Sequence, residues 1–374
     1  NITKKIIKID AKNKIAHCSS NVTLKELNKK LLPKNLFLCV TPGTQYVTIG
    51  GAVASDIHGK NHHKDGSFSD HILNIEILLA NGKIKECSKK KNSNLFYSTC
   101  GGMGLTGIIL SVKFKVQIIK SNSIIENSIK TKSLKETLDI FEIKNNHKYI
   151  VAWLDMSAKN SNIGRGIVYY ANHGLKNVKE IDQNLKINFN FPDFFLNSFT
   201  LKILNIIFYK SKKNIEKKII NLKKFFYTLD NILLWNNFYG KKGFVQIQIL
   251  KKIKNANKNI KKIIKFFQNE GQHSFITTLK KMGHANKCYL GFCEPGYTLT
   301  MDIPNNKMLL NFYKRLESIL IKIKAKTYLT KDSLMSEGYF INTYPNVKKF
   351  LKYKSYIDPN SKFESYQSLR IGIK

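Results

Sequence analysis

PGTQYVTIGGAVASDIHGKNHH, residues 42–63, carries more information than any other run of this chain. Two adjacent glycines (Gly50, Gly51) and two alanines (Ala52, Ala54) precede a histidine set on a glycine turn (His58, Gly59). Side chains that small let backbone amides come into van der Waals contact with a large flat ligand. A second glycine run, CGGMGLTG at 100–107, follows a strand-like interval. Two glycine surfaces with a histidine between them point to a buried cofactor. The competing reading is a pair of tight turns in an α+β domain.

The 374 residues suffice for two domains, and 43% hydrophobic with 11% aromatic content describes a folded chain. The net charge of +38 invites a nucleic-acid reading, but all basic residues except Arg165, Arg315 and Arg370 are lysines. Lysine recognises bases and phosphates less well than the arginine fork. Lysine, asparagine and isoleucine are inflated together along the whole length, which reads as coding bias, so no nucleic-acid partner is expected. The basic field would still draw phosphate-bearing or membrane-surface partners. Six cysteines (Cys18, Cys39, Cys87, Cys100, Cys288, Cys293) show no CxxC pair and read as free thiols of a reducing compartment. With no run of about 18 apolar residues and no signal-peptide pattern, the expectation is a cytoplasmic chain without a transmembrane span.

The stretch 4–18 reads as two strands around a turn. Residues 21–33 read as a helix capped by Thr23 with Glu26 three positions on, and Pro33 ends it. An extended run at 36–41 precedes the glycine segment, and 71–87 reads as a hairpin about Asn81-Gly82. A helix is expected at 132–143, strands near 149–155 and 165–171, and extended runs at 232–236 and 243–250. A helix over 251–268 would turn Ile253, Ile260, Ile263, Ile264 and Phe267 inward. Strands at 274–280 and 297–303 with a helix at 307–324 read as a βαβ-like block. The lysine-rich stretch 199–227 carries Phe208, Tyr209, Phe225, Phe226 and Tyr227. It reads as a solvated helix pair or loop in preference to a membrane-surface segment in peripheral contact with lipid.

The segment at 42–68 resembles the flavin-binding stretch of the vanillyl-alcohol-oxidase, or PCMH-type, FAD enzymes. Its GGAxAxDIHGKNHH core is similar to the decaprenylphosphoryl-β-D-ribose oxidase branch of that superfamily. STCGGMGLTGII (98–109), WNNFYGKKGFVQIQ (235–248), HSFITTLKKMG (273–283), PGYTLTMDIP (295–304) and YLTKDS (328–333) extend the resemblance over essentially the whole chain. It implies an α+β fold: an FAD-binding domain at 1–121, an inserted α+β substrate domain on an antiparallel sheet at 122–325, and a segment at 326–374 returning to the FAD domain. The family's earlier glycine-rich loop, which grips the FAD pyrophosphate, has no counterpart after Asn1. That implies an N-terminally incomplete domain or a lost cofactor contact.

The resemblance implies non-covalent FAD lined by Pro42, Gly43, Thr44, Thr48, Gly50, Gly51, Ala52, Ser55, Ile57, His58 and Gly59, with Ile109 and Tyr328 closing the pocket. Lys331 of YLTKDS matches the lysine that meets flavin and substrate, and His58 the histidine beside the flavin ring; these two are the catalytic candidates. Tyr239, Gln246, Gln248, Lys280, Thr300 and Lys331 match substrate-pocket positions, Thr300 replacing a family cysteine. Removing hydride from a secondary alcohol needs an acceptor for the hydroxyl proton and positive charge beside the flavin. His58, His62, His63 and His71 lack the carboxylate or cysteine spacing that would complete a metal site, so none is expected. The implied activity is oxidation of the 2-hydroxyl of a polyprenylphosphoryl pentose, with a short-chain reductase as partner. The alternatives are an alditol or sugar-lactone oxidase and a flavoprotein that has lost activity.

Overall fold

The computed structural model describes residues 5–179, 185–192, 197–272 and 274–374; Lys4 and His273, which open two of the stretches named above, lie outside them. Residues 7–118 form a six-stranded antiparallel sheet. Its longest strand, Ile108–Ile118, pairs with Ile15–Ser19, Ile72–Leu78 and Leu36–Leu38, while Ile7–Asp10 and Ile84–Cys87 flank it. The expected helix is Leu24–Leu31, held by a capping box: Thr23 Oγ1 accepts the Glu26 amide at 3.2 Å, and the Glu26 carboxylate accepts the Thr23 amide at 2.9 Å. Leu24, Leu27 and Leu31 sit one helical face apart and bury against Ala16, Cys18, Ile75 and Phe114 of the sheet.

An eight-stranded antiparallel sheet spans the rest of the chain. Its order runs Ile215–Asn221, Ser123–Thr131, Gly166–His173, Tyr149–Leu154, Thr278–Met282, Gly296–Pro304, Phe244–Lys252, Lys326–Thr327. The period of two assigns its faces. Ile247, Ile249, Leu279, Leu299, Met301, Ile303, Ile150 and Ala152 point into a core closed by helices Leu134–Ile143, Ala256–Asn269 and Leu309–Lys322. Their neighbours Gln246, Gln248, Thr278, Lys280, Thr300 and Val151 point the other way and wall a cavity.

The βαβ expectation fails: Thr278–Met282 and Gly296–Pro304 pair antiparallel, because a loop rather than a helix joins them. The helix expected from 251 begins at Ala256, since strand Phe244–Lys252 runs through, and Ile253 is exposed rather than inward. The stretch 199–227 resolves into helix Ser198–Ser211, edge strand Ile215–Asn221 and helix Leu222–Phe226. Beyond residue 328 the chain returns to the first sheet, where Tyr328 donates to the Ser55 carbonyl at 2.6 Å and Lys362 to that of Ala80 at 3.0 Å. Among the described residues no helix is long and apolar enough to cross a membrane.

Candidate active site

Residues 49–54 form a short helix capped by Thr48, whose Oγ1 accepts the Gly51 amide at 3.1 Å. Gly50 turns away from the cavity: its amide donates to the Ser20 carbonyl at 2.8 Å, and a Cβ there would stand 2.9 Å from Ser20 Cβ. Ala52 is buried in the core beneath. Pro42, Gly43, Thr44, Thr48, Gly51, Ser55, Ile57, His58 and Gly59 line a cavity of about 810 Å³, within the usual range for small-molecule sites.

The second glycine surface does not meet this cavity. Gly101 and Met103 donate their amides to the carbonyls of Val53 and Ala54, each at 2.9 Å, so the run buttresses the short helix from behind. Gly101 holds φ +74°, a value that suits glycine. Ile109 is likewise absent from the lining: it pairs with Ile77 in the first sheet and packs in its core.

The opposite wall is built by register. Gln248 pairs with Thr300 and Thr300 with Thr278, so three polar side chains stand in one row across three strands. Gln246 pairs with Asp302, whose buried carboxylate accepts Gln246 Nε2 at 2.6 Å and the Tyr239 hydroxyl at 2.8 Å. Tyr239 therefore packs on the same sheet face beyond Asp302, and it does not itself line the cavity. The Thr300 hydroxyl has no protein partner, which leaves a buried polar group facing the cavity.

His58 joins the two walls. Its Nδ1 lies 3.1 Å from Lys280 Nζ and its Nε2 3.0 Å from the Gln248 amide. A neutral imidazole has one donor and one acceptor, and the lysine donates, so Nδ1 accepts and Nε2 carries the proton. Gln248 then presents its carbonyl to Nε2–H, which satisfies the Gln248 Oε1 atom that the opposite amide orientation leaves buried and unpaired. Burial, reinforced by the nearby Lys280 charge, holds the His58 pKa well below the ordinary histidine value. His58, Tyr328 and Phe292 form a cluster of rings: Tyr328 stacks on Phe292 at 4.8 Å and lies tilted against His58 at 5.3 Å, and His58 stacks on Phe292 at 5.9 Å.

Three lysines crowd the same space. Burial, then the charge of Lys331, pulls Lys280 down to about 7. Burial pulls Lys331 down to about 8, opposed by Asp302. Lys60, also lowered to about 8 by burial, bonds the Phe225 carbonyl and lies 4.0 Å over the Phe225 ring. The turn that carries Lys331 is clamped by Arg370 on Asp332 at 2.8 Å and by Gln367 Nε2 on the Leu329 carbonyl at 2.7 Å. Residues 229–236 close the rim, tied down where Asp230 accepts the Gln45 amide at 2.8 Å.

The remaining histidines named from sequence have structural partners. His62 accepts the Gly283 amide at 2.9 Å, while ring nitrogens of His63 and His71 lie 2.9 and 2.8 Å from the carbonyls of His147 and Asp65. Sequence reasoning missed Lys60, Thr278, Asp302 and the rim residues. The signals for the first three were at hand: Lys60 follows Gly59, and the other two stand two residues from Lys280 and Thr300 on strands of period two.

The chain is similar in sequence to known proteins. A family model described as an FAD binding domain matches residues 1–88. The decaprenylphosphoryl-β-D-ribose oxidase of Mycolicibacterium smegmatis is 31% identical over 99% of this chain and 83% of its own length. The D-lactate dehydrogenase of Archaeoglobus fulgidus is 30% identical over 29% of this chain and 26% of its own length. The L-gulonolactone oxidase of Bos taurus is 28% identical over 36% and 30% respectively.

Proposed function

The chain belongs to the decaprenylphosphoryl-β-D-ribose oxidase family of FAD-dependent oxidoreductases, and from that premise we propose that it oxidises the 2-hydroxyl of a polyprenylphosphoryl ribose to the 2-keto sugar. This is the first half of an epimerisation to arabinose. The observation that carries the reading is the meeting of Lys331, Lys280 and His58 with the small-residue ledge in one cavity.

The residues present fit the cofactor. Nothing lies within 4 Å of where a Gly43 Cβ would stand, and at Gly51 only Thr48 Oγ1 does, at 3.2 Å. Both glycines thus offer bare backbone to the cavity, and the unpaired Thr300 hydroxyl faces them from the other wall. FAD, when bound, supplies the hydride acceptor. Gly43, Thr44, Thr48, Gly51 and Ser55 would hold it without covalent attachment.

Lys331 supplies positive charge in a desolvated wall, where a fixed cation stabilises developing negative charge far more than in water. Asp302 favours its protonated form. Lys280 Nζ is the group suited to hold the proton of the substrate hydroxyl, because a value near 7 matches a general base at neutral pH. His58 acts through Lys280, aiming Nζ by accepting from it. Gln246, its amide nitrogen taken by Asp302, turns its carbonyl oxygen to hydrogen-bond the sugar. Lys60, which also lines the cavity, is assigned the phosphate in this reading.

A keto sugar must next receive hydride on its opposite face, the work of a separate short-chain dehydrogenase/reductase, which we propose as partner. Six free thiols support a cytoplasmic setting, at a membrane that holds the lipid. The test supplies purified protein with FAD, an artificial electron acceptor and a short-chain polyprenylphosphoryl ribose, alongside free alditols and aldonolactones. Loss of two hydrogens from the ribose, located at C2, is expected. Oxidation of the alditol or lactone alone would overturn the substrate and leave a sugar-alcohol or lactone oxidase.

A further inference from the structure

Helix Ser198–Ser211 sits beside the cavity, on the same face of the eight-stranded sheet. Phe208 packs against Trp153 at 4.7 Å and Phe275 at 5.9 Å, and Asn205 and Leu201 are buried beneath. The Tyr209 hydroxyl donates to the Thr131 carbonyl at 3.1 Å. Trp153 stands two residues from Val151 on one strand and Phe275 adjoins Ile276; Val151 and Ile276 line the cavity. The helix is therefore anchored to the cavity wall itself.

Its outward face is apolar. Phe199, Ile203 and Ile207, spaced by four, are 70%, 39% and 59% exposed, with exposed Lys202 and Lys210 beside them. Between 197 and 224 there are eight lysines and a single carboxylate, Glu216, which is itself paired with Lys218 at 2.8 Å. The aromatics that drew attention in the sequence are turned inward: Phe225, Phe226 and Tyr227 are buried, and Phe208 packs on the sheet. At the cavity rim Leu233 and Leu234 are exposed as well, so the opening carries apolar side chains of its own.

An exposed apolar ridge with lysines beside it is the arrangement of a helix lying in a bilayer interface, where lysine stems run along apolar surface and the charged heads reach the headgroups. Each lysine near an anionic leaflet adds attraction, and the lone carboxylate opposes it little. We infer that helix Ser198–Ser211 docks the protein on an anionic bilayer surface, setting the cavity mouth against the lipid that carries its substrate. The inference rests on the proposal that the substrate is lipid-linked, and it names the element that meets the membrane.

The test is co-sedimentation of the full chain with vesicles of phosphatidylcholine alone and of phosphatidylcholine with phosphatidylglycerol. The parent binds the anionic vesicles, and the combined variant Phe199→Ser, Ile203→Ser, Ile207→Ser binds them at least tenfold more weakly. Lys202→Glu with Lys210→Glu weakens the preference for anionic lipid at least threefold, the other six lysines of the segment being kept. Turnover of a detergent-dispersed short-chain substrate stays unchanged in the triple variant, which shows that it is folded. Equal vesicle binding by parent and triple variant overturns the inference. So does a parent dimer that the triple variant splits without any vesicle binding, since the ridge then covers a second copy. A parent that binds vesicles but leaves the dispersed substrate unoxidised keeps the docking element and sinks the oxidation proposal instead.

Discussion

Lys280 and His58, 222 residues apart in sequence, meet at 3.1 Å between Nζ and Nδ1. The contact ties the glycine-rich segment to the eight-stranded sheet at the cavity and sets the direction of an amine whose value lies near neutrality. With Lys280 in its proposed role as proton acceptor and the Lys331 ammonium nearby, the site acquires a definite pH dependence.

Activity should follow a narrow bell. Lys280 must be unprotonated to take a proton, so kcat/KM rises with pH through about 7; Lys331 must be protonated to supply charge, so it falls above about 8. Lys280→Met should remove the acidic limb and lower kcat by roughly 10²- to 10⁴-fold. A pH profile that keeps its acidic limb in that variant contradicts the assignment.

The same lysines govern the stability of the cofactor-free protein. Their folded values lie near 7 and 8 while the unfolded chain titrates near 10.4, so between those limits the unfolded state binds more protons. Stability therefore rises as pH climbs from about 7 towards 10, and the penalty of burying both charges is fully present below 7. Thermal unfolding at pH 6.5 and 9 measures the slope, and Lys280→Met with Lys331→Met should reduce it to the share that buried Lys60 contributes.

The glycines of the ledge should separate by role. Gly43→Val projects into the cavity with nothing within 4 Å of its Cβ, so FAD affinity falls at least tenfold, measured by fluorescence titration, with the melting temperature preserved. A Cβ at Gly59 would stand 2.5 Å from Asn61 Oδ1 and 2.8 Å from the Thr41 carbonyl. Gly59→Ala should therefore cost about 1–3 kcal/mol of stability.

Arg370 should matter to Lys331 although it touches no substrate. Arg370→Met leaves the buried Asp332 carboxylate without its cation and loosens the turn that presents Lys331. We expect a loss of about 2 kcal/mol in unfolding free energy, and Arg370→Lys should restore only part because a single nitrogen replaces the two of the guanidinium fork that separately meet Asp332 and the Met335 carbonyl. An unchanged melting temperature would refute this.

Much of the site was legible because its residues cluster in short runs. Pro42 to Gly59 and Tyr328 to Lys331 each form one contiguous stretch, and the capping box at Thr23 and Glu26 is a local signal. What stayed hidden depends on pairing between distant strands. The row Gln248, Thr300 and Thr278 exists only once three strands take up register, and Leu229 to Asn236 reach the cavity through Asp230 on Gln45. Ile109 was misplaced because nothing local says which side of a strand meets the cofactor. The glycines at 101–107 were misread because close packing against Val53 and Ala54 needs the same residues as close packing against a ring.

The central claim is tested most directly by a structure of the protein loaded with FAD. The account predicts the isoalloxazine between Gly43 and Gly51 on one side and the wall of Gln248 and Thr300 on the other, with Lys331 Nζ in hydrogen-bond reach of the ring. Density for the ring outside that slot, or an ammonium at Lys331 turned away from it, would contradict the account.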